Sequence, residues 1–189
     1  MLFRSVQEVH LFLEKGLKYK PDKVVLFYFI NDAEPLPQKV KWGFLGHSHL
    51  ITLYWSRLHA AIERIRPSRN FRAYYQALYA FDQPGWRQAK EALLLLKTVC
   101  AHRQIKLQVV ILPELHQLQP YTFQEEHALI KTFLLEQNID FLDVAPSFSK
   151  EIHPERLWVA RDDAHPNAAA HRLIAEAVRD FVIASPRPS

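Results

Sequence analysis

Three short apolar runs divide the chain, and polar residues or proline bound each of them. They occupy residues 23–30, 107–112 and 139–144. The first is continuously apolar after Lys23, the second contains Gln108, and the third contains Asp140 and Asp143. Predominantly apolar runs of this length, rich in β-branched or aromatic side chains, are typical of strands buried on both faces of a parallel sheet. The sequence therefore predicts a central parallel sheet that contains these three strands.

The segments around these runs place apolar residues at the three- and four-residue spacing of amphipathic helices. The helical stretches are residues 6–17, 50–65, 86–102, 122–137 and a final helix that starts near Pro166. Residues 68–85 follow no period and predict an irregular excursion, with room for a short helix, that can cover a site. Strands that alternate with helices indicate right-handed βαβ units. We therefore predict an α/β fold with three layers, α/β/α, around a parallel sheet.

The composition fits one globular domain. The 189 residues are 49% hydrophobic and 23% charged, which excludes wholesale disorder. We expect a single domain over residues 1–185, and a disordered tail over residues 186–189 because two prolines end the order there. The net charge is +4, but it is mixed along the chain, so we expect no nucleic-acid partner. The single cysteine, Cys100, excludes an internal disulfide.

The chain contains neither a membrane-spanning run nor a secretory signal. No apolar stretch approaches the roughly 18 to 20 residues that cross a bilayer, so we expect no transmembrane segment. The first ten residues lack a basic start followed by a continuous apolar middle. As written, the chain is expected to be cytoplasmic, and an envelope location would require a signal or anchor upstream of it.

Two polar residues, Asn31 and Asp32, follow the first strand directly. Ligands of open parallel sheets bind beyond the carboxyl ends of the strands. A positioned amide such as that of Asn31 can donate to a developing oxyanion, which is worth about 3 to 4 kcal/mol in acyl transfer. Asn and Asp are also common turn residues, so a purely structural role as turn caps stays open.

The segment RDDAHPN, residues 161–167, contains the strongest candidate chemistry. Asp162 precedes His165 by three positions, so its carboxylate can accept from one ring nitrogen while the other acts as a general base. Two structural alternatives stay open, with Asp163 as a helix N-terminal carboxylate and His165 as part of a helix start. A metal site would use the same residues with His171, but no regular ligand framework is present. We expect neither a metal nor another cofactor.

Three further features are ambiguous. Ser48, in the segment GHSH, stands at the head of a predicted helix, where a serine favours an N-cap role over a nucleophilic one. Glu114 follows the second strand and is placed to line a site, although such loop carboxylates are often solvated. The arginines and aromatics of residues 66–86 fit either stacking on bases or sugars or a packed insertion.

Together, the two blocks KPDKVVLFYFINDAEP and RDDAHPNAAAHRLIAEAV resemble the SGNH (GDSL-like) hydrolase family. The segments YYQALY and QVVILPEL are similar to members that modify bacterial envelopes and polysaccharides. The resemblance implies a flavodoxin-like fold, with Asn31 as oxyanion donor, His165 as base and Asp162 as the acid that orients it. It also implies a Ser-His-Asp mechanism on an acyl or acetyl ester, with a carbohydrate as a plausible acceptor.

The chain departs from the family pattern at its beginning. No Gly-Asp-Ser triplet occurs, Arg4 stands near the place of a family glycine, and Ser5 matches a helix entry rather than the nucleophile. We therefore expect a fold that is incomplete at its N-terminus and a chain that is close to inert alone. The alternative is a catalytically inactive SGNH-fold remnant that acts in binding or assembly. An uncovered 23–30 edge predicts homodimerisation, cover by the N-terminal helix, or poor solubility.

Overall fold

The structure is a computed structural model that describes residues 5–35, 71–161 and 163–184. The parallel sheet consists of β1 (Lys23–Tyr28), β2 (Lys106–Ile111) and β3 (Asp140–Asp143). The helices are α1 (Ser5–Leu11), α2 (Phe71–Leu78), α3 (Pro84–His102), α4 (Gln124–Glu136) and α5 (Ala168–Ala184). A two-stranded antiparallel hairpin, β4 (Trp158–Ala160) with β5 (Asp163–Pro166), precedes α5.

The three strands of the sheet lie in the order β1, β2, β3, and both pairings are parallel. Val109 of β2 stands opposite Leu26 on one side and Phe141 on the other. Each predicted strand is present within two residues of its expected ends. The α/β class and the parallel sheet predicted from the apolar runs are therefore confirmed.

Helices pack on both faces of the sheet. Leu26, Tyr28 and Val109 point to the face that α1, α3 and α4 cover. Val110 points to the opposite face, where it packs in a second apolar cluster with α5. Side chains such as Leu93 of α3 are fully buried, and each such burial contributes about 1.5 to 3 kcal/mol. This two-sided burial explains why the strand sequences are apolar at consecutive positions rather than at alternate ones.

The start of the last helix differs from the prediction. Pro166 is the final residue of β5 and stands opposite Trp158, so it does not begin α5. Asn167 caps the helix instead, because its Oδ1 accepts the backbone N–H groups of Ala169 at 2.9 Å and Ala170 at 3.1 Å. An asparagine side chain is among the best acceptors for these otherwise unpaired donors. The helix therefore begins two residues later than proline chemistry alone suggested.

Two further helix predictions can be compared with the structure, and two other predictions cannot. The predicted helix over residues 6–17 is α1 followed by a π turn, Phe12–Gly16, and a 3-10 turn, Leu17–Tyr19. The short helix allowed within residues 68–85 is α2. The predicted helix over residues 50–65 and the tail 186–189 lie outside the described residues.

Within the described ranges, strand β1 is at one edge of the sheet. Among the described residues it pairs only with β2, and its Phe27 side chain is exposed although it lies in the middle of an apolar strand. The ammonium group of Lys23 donates to the Val182 carbonyl at the end of α5. Within the described part of the chain, no helix is both long and apolar enough to cross a membrane.

Candidate functional site

The carboxyl ends of the three parallel strands bring three short segments to one edge of the molecule. We call this edge the sheet rim and define it as residues 30–33, 113–116 and 143–145. Leu112 donates its backbone N–H to the Tyr28 carbonyl at 2.9 Å, so the exits of β1 and β2 lie side by side. The rim is therefore the region where a parallel sheet is expected to bind a ligand.

The turn after β1 contains both polar residues that the sequence indicated. Residues Ile30–Ala33 form a 3-10 turn, and the buried Asp32 carboxylate accepts the backbone N–H groups of Phe29, at 2.8 Å, and of Ser5. Asp32 thus performs the turn-capping role, while Asn31 lies half-buried beside it at the end of β1. Asn31 therefore stands at the carboxyl end of β1, and its role as oxyanion donor stays a prediction.

Burial of Asp32 changes its acidity. Removal from water raises the pKa of this carboxyl to about 7, even though the N–H groups of Phe29 and Ser5 act in the opposite direction. The charge on Glu8 adds to the increase. Asp32 is therefore a buried rim carboxyl that exchanges its proton near neutral pH.

His165 lies on β5 and is hydrogen-bonded to Asp163. Its backbone N–H donates to Oδ1 of Asp163 at 3.0 Å, and its ring Nδ1 is bonded to the same oxygen. Both bonds lower the pKa of the Asp163 carboxyl, and the backbone hydrogen bond has the larger effect. Both side chains are largely exposed. The predicted orienting acid, Asp162, lies outside the described residues.

No hydrogen bond or ion pair joins His165 to Asn31 in the described ranges. A groove lies beside the hairpin, and neither His165 nor Asn31 is among the residues that line it. Pro166, the neighbour of His165, lines this groove together with Leu112 and Phe27, and α5 forms its opposite wall. The groove has a volume of about 630 Å³, which is within the usual size of small-molecule sites. The end of the hairpin thus lies beside the exits of β1 and β2.

A second carboxylate–histidine pair lies on the rim itself. His116 donates its backbone N–H to Oε2 of Glu114 at 3.0 Å, and its ring Nδ1 is bonded to Oε1. The Glu114 side chain is only 5% exposed, whereas that of His116 is 51% exposed. A half-exposed imidazole is thus held through its Nδ1 by a buried carboxyl group.

A series of buried and half-buried hydrogen bonds connects the backbone of Glu114 with Asp143. The backbone N–H of Glu114 donates to the Tyr121 hydroxyl at 3.1 Å, and this hydroxyl lies 2.8 Å from Nε2 of His127. The other ring nitrogen of His127 lies 3.0 Å from Oδ1 of Asp143. Lys131 pairs with the second oxygen of Asp143 at 3.1 Å. The rim is thus tied to α4 and to the end of β3.

The electrostatics of Asp143 follow from these partners. Burial alone would raise the pKa of its carboxyl, but the bond and charge of His127, the backbone N–H of Ala145 and Lys131 together lower it to about 2. Asp143 is therefore ionised over the whole range in which the protein is expected to be folded. Its charge fixes the orientation of His127 and, through it, of Tyr121.

The indole of Trp158 connects the rim with the hairpin. Its Nε1 donates to the Leu115 carbonyl at 2.9 Å, and its ring packs on His116 with 5.2 Å between centroids. Trp158 also pairs with Pro166 across the hairpin. Trp158 therefore links the loop that holds Glu114 and His116 with the hairpin that holds Asp163 and His165.

Sequence reasoning considered Glu114 but missed its partner His116. The spacing is only a weak signal, because a carboxylate stands two positions before a histidine at five places: Glu8–His10, Glu114–His116, Glu125–His127, Glu151–His153 and Asp163–His165. At Glu114, Glu151 and Asp163 the backbone N–H of the histidine donates to the preceding carboxylate. Only Glu114 is buried, and burial cannot be derived from a spacing of two residues.

The described residues were also searched for a metal site, and the chain was compared with known proteins. Among the described residues, no group of three or more histidine, cysteine, aspartate or glutamate side chains is placed to hold a metal ion. The metal alternative with Asp162 includes a position outside those residues. Comparisons of the chain with protein families, with curated proteins and with solved structures find no match.

Proposed function

We propose that the chain belongs to an SGNH-like ester hydrolase, in which His165 is the general base and Asn31 the oxyanion donor. The observation that carries this proposal is the pairing of His165 with Asp163 next to a groove that reaches the exits of β1 and β2. A histidine whose Nδ1 is held by a carboxylate presents Nε2 to a reacting group. The specific SGNH fold is part of the same proposal.

In this mechanism Nε2 of His165 takes the proton of a hydroxyl that attacks the acyl carbon. The amide of Asn31 donates to the oxygen on which negative charge develops. The attacking hydroxyl of the family is a serine in a Gly-Asp-Ser turn, and that triplet is absent from the 189 residues. The serine would have to come from outside this sequence, and water is the nucleophile available without it. No metal or cofactor takes part.

The acid that orients His165 can be tested directly. The resemblance implies Asp162, whereas the structure pairs the ring with Asp163. The substrate class is an acyl or acetyl ester, and a carbohydrate acceptor rests on the resemblance alone. Asn replacements at positions 162 and 163, measured separately, identify the acid, since only the true partner should lower turnover on replacement.

Hydrolysis of p-nitrophenyl acetate by the chain tests the function. We expect slow turnover above buffer, and a decrease of about 10² in His165→Gln, because a positioned general base contributes about that factor or more. His102→Gln, at the exposed end of α3, is the matched control and should retain the parent rate. Equal rates in His165→Gln and the parent would remove His165 from the mechanism.

A second candidate, an assembly module without catalysis, is favoured by one observation. Phe27 is 43% exposed in the middle of edge strand β1, and unpaired apolar edges promote strand addition. The expected partner is a second copy of the chain. Light scattering should show a dimer that Phe27→Lys dissociates and that Leu135→Lys, on the exposed side of α4, does not. A monomer at high concentration would exclude this candidate.

A further inference from the structure

The groove beside the hairpin is apolar on both of its walls. Phe27, Leu112 and Pro166 form one wall, and a single face of α5 forms the other. The side chains of Phe27 on the first wall and Ile183 on the second are 43% and 74% exposed. Large apolar side chains that remain exposed around a concave surface are typical of a site that binds a ligand or a partner.

The wall on α5 consists of residues that are three or four positions apart and therefore share one face of the helix. Its apolar members are Ile174, Ala175, Val178, Val182 and Ile183. His171 and Arg179 lie on the same face, and the helix rises about 12 Å between them. An apolar stretch thus separates two basic side chains by a distance that suits an extended alkyl chain of medium length.

The groove lies on the face of the sheet rather than at its edge. The carbonyls of Asp22 and Tyr28 accept N–H groups from Lys106 and Leu112, so the hydrogen-bonding groups of β1 lie in the plane of the sheet. The side chain of Phe27 points out of that plane, on the face that α5 covers. An occupant of the groove therefore meets mainly side chains, because the backbone groups within α5 are paired in the helix.

This lining favours an alkyl chain over a peptide. A run of peptide groups in the groove would lose hydrogen bonds to water and gain few in return, which is unfavourable. An alkyl chain has no such groups, so its transfer from water is favourable along its whole length.

The basic side chains of the groove suit an acidic head group. Among the described residues, Arg179 and His171 line the groove and no carboxylate does. Arg179 donates through Nε to Asp180 at 2.9 Å, whereas its Nη1 and Nη2 groups form no hydrogen bond within the described ranges. Asp180 and Glu176, the carboxylates that act on Arg179, are not lining residues. The two Nη groups of a guanidinium match the two oxygens of a carboxylate.

We propose that this groove binds a medium-chain fatty acid, with the carboxylate on Arg179 and the alkyl chain along α5 towards His171. The inference goes beyond the proposed hydrolysis, because binding of a free fatty acid requires neither His165 nor Asn31. The binding is noncovalent. Its free energy comes from apolar area removed from water and from one charge-assisted pair at the end of the chain. The competing occupant is a second copy of the chain that covers Phe27.

Calorimetric titration of the chain with hexanoate and decanoate tests the alkyl part of the site. Decanoate should bind about tenfold or more tightly than hexanoate, because each fully buried methylene contributes up to about fourfold. Ala175→Glu, at an exposed position in the middle of the groove, should lower the decanoate affinity by about tenfold or more, since a charge would stand beside the alkyl chain. Ala169→Glu, exposed on the same helix but outside the groove, is the matched control and should bind decanoate like the parent.

A comparison of decanoate with 1-decanol tests the head group. Arg179→Gln should lower the affinity for decanoate by about tenfold, the effect of one hydrogen bond to a charged group, and leave the affinity for 1-decanol unchanged. A merely structural role of Arg179 would weaken both ligands equally. Arg172→Gln, exposed on α5 outside the groove, is the control and should retain both affinities.

The other outcomes are distinct. Absence of decanoate binding, or equal affinities for hexanoate and decanoate, overturns the proposal, and so does a parent-like affinity in Ala175→Glu. Equal losses for decanoate and 1-decanol in Arg179→Gln contradict the assignment of the head group. A dimer that binds no decanoate makes the second copy the occupant. Decanoate binding by a chain that does not hydrolyse p-nitrophenyl acetate supports the groove and rejects the proposed hydrolysis, and the reverse result rejects the groove alone.

Discussion

The sheet rim and the hairpin hold the same local motif in two different environments. Glu114 and Asp163 each accept the backbone N–H and the ring Nδ1 of a histidine two positions later. The Glu114 side chain is 5% exposed, and that of Asp163 is 45% exposed. Hydrogen bonding within the motif is therefore encoded locally, whereas its strength depends on what surrounds it.

The surroundings matter because water screens charges and competes for hydrogen bonds. On the rim, Tyr121 and Trp158 fix both ends of the loop, and the supporting chain ends at the ionised Asp143. On the hairpin, described contacts beyond the motif are mainly those between β4 and β5. We expect changes on the rim to affect the stability of the whole protein and changes on the hairpin to affect only local geometry.

The largest expected effect comes from Gly85, at the start of α3. A Cβ at this position would lie 1.9 Å from the carbonyl oxygen of Ala33, in the rim turn that holds Asn31. Because this obstacle is backbone, Gly85→Ala should cost about 3 kcal/mol in the free energy of unfolding, measured with urea. Ala101→Ser, on an exposed position of the same helix, should cost almost nothing. Equal stability of Gly85→Ala and the parent would show that the turn is not packed against α3.

Replacement of the two aspartates gives the next effect in size. Asp143→Asn removes the charge that pairs with His127 and Lys131 and should cost about 1.5 to 3 kcal/mol in all, the range for a hydrogen bond to a charged group. Asp163→Asn should leave the unfolding free energy unchanged, because that carboxylate is exposed. Thermal and urea unfolding of both variants measure the difference. If both variants are destabilised equally, the contrast between rim and hairpin is wrong.

A pH-dependent effect, absent at acid pH, is expected from Asp32. Its pKa is about 7 in the folded protein and about 3.9 in an unfolded chain. A carboxyl with a raised pKa contributes stability that is complete below pH 4 and is lost as the pH rises through 7. Asp32→Asn should therefore become more stable relative to the parent between pH 4.5 and pH 8. A stability difference that stays constant over this range would contradict the burial of the charge.

Asp143 should show the opposite dependence. Its pKa is lowered to about 2, so its contribution is present above the unfolded pKa and is lost only as the pH falls through 2. The charge on Asp32 therefore lowers the free energy of unfolding at high pH, whereas protonation of Asp143 lowers it at low pH. Asp163 and its partner His165 are both exposed, so Asp163 adds no comparable pH dependence of stability.

The strands and most helices could be predicted because their apolar period reflects burial that every residue of the element shares. Runs such as residues 109–112 are apolar throughout because both faces are covered. The start of α5 could not be derived in the same way, since Pro166 and Asn167 are both good helix-start residues. Pairing of Pro166 with Trp158 decided between them, and that contact depends on the folded hairpin.

The candidate site was predictable to a similar extent. Asn31 and His165 could be proposed as candidates because they directly follow or precede periodic elements. His116 could not, because its significance depends on the burial of Glu114 and on bonds from Tyr121 and Trp158, which are distant in sequence. Single residues on loops show no period, and only the packing around them distinguishes a solvated pair from an oriented one.

The central claim is that His165 and Asn31 meet at the same end of the sheet. A nitroxide attached to Cys in His165→Cys tests it, because the remaining Cys100 is buried. The label should broaden the NMR signal of the Asn31 side-chain amide and spare that of Gln104, which precedes β2 at the opposite end of the sheet. An Asn31 signal as sharp as that of Gln104 would place the two residues apart and contradict the account.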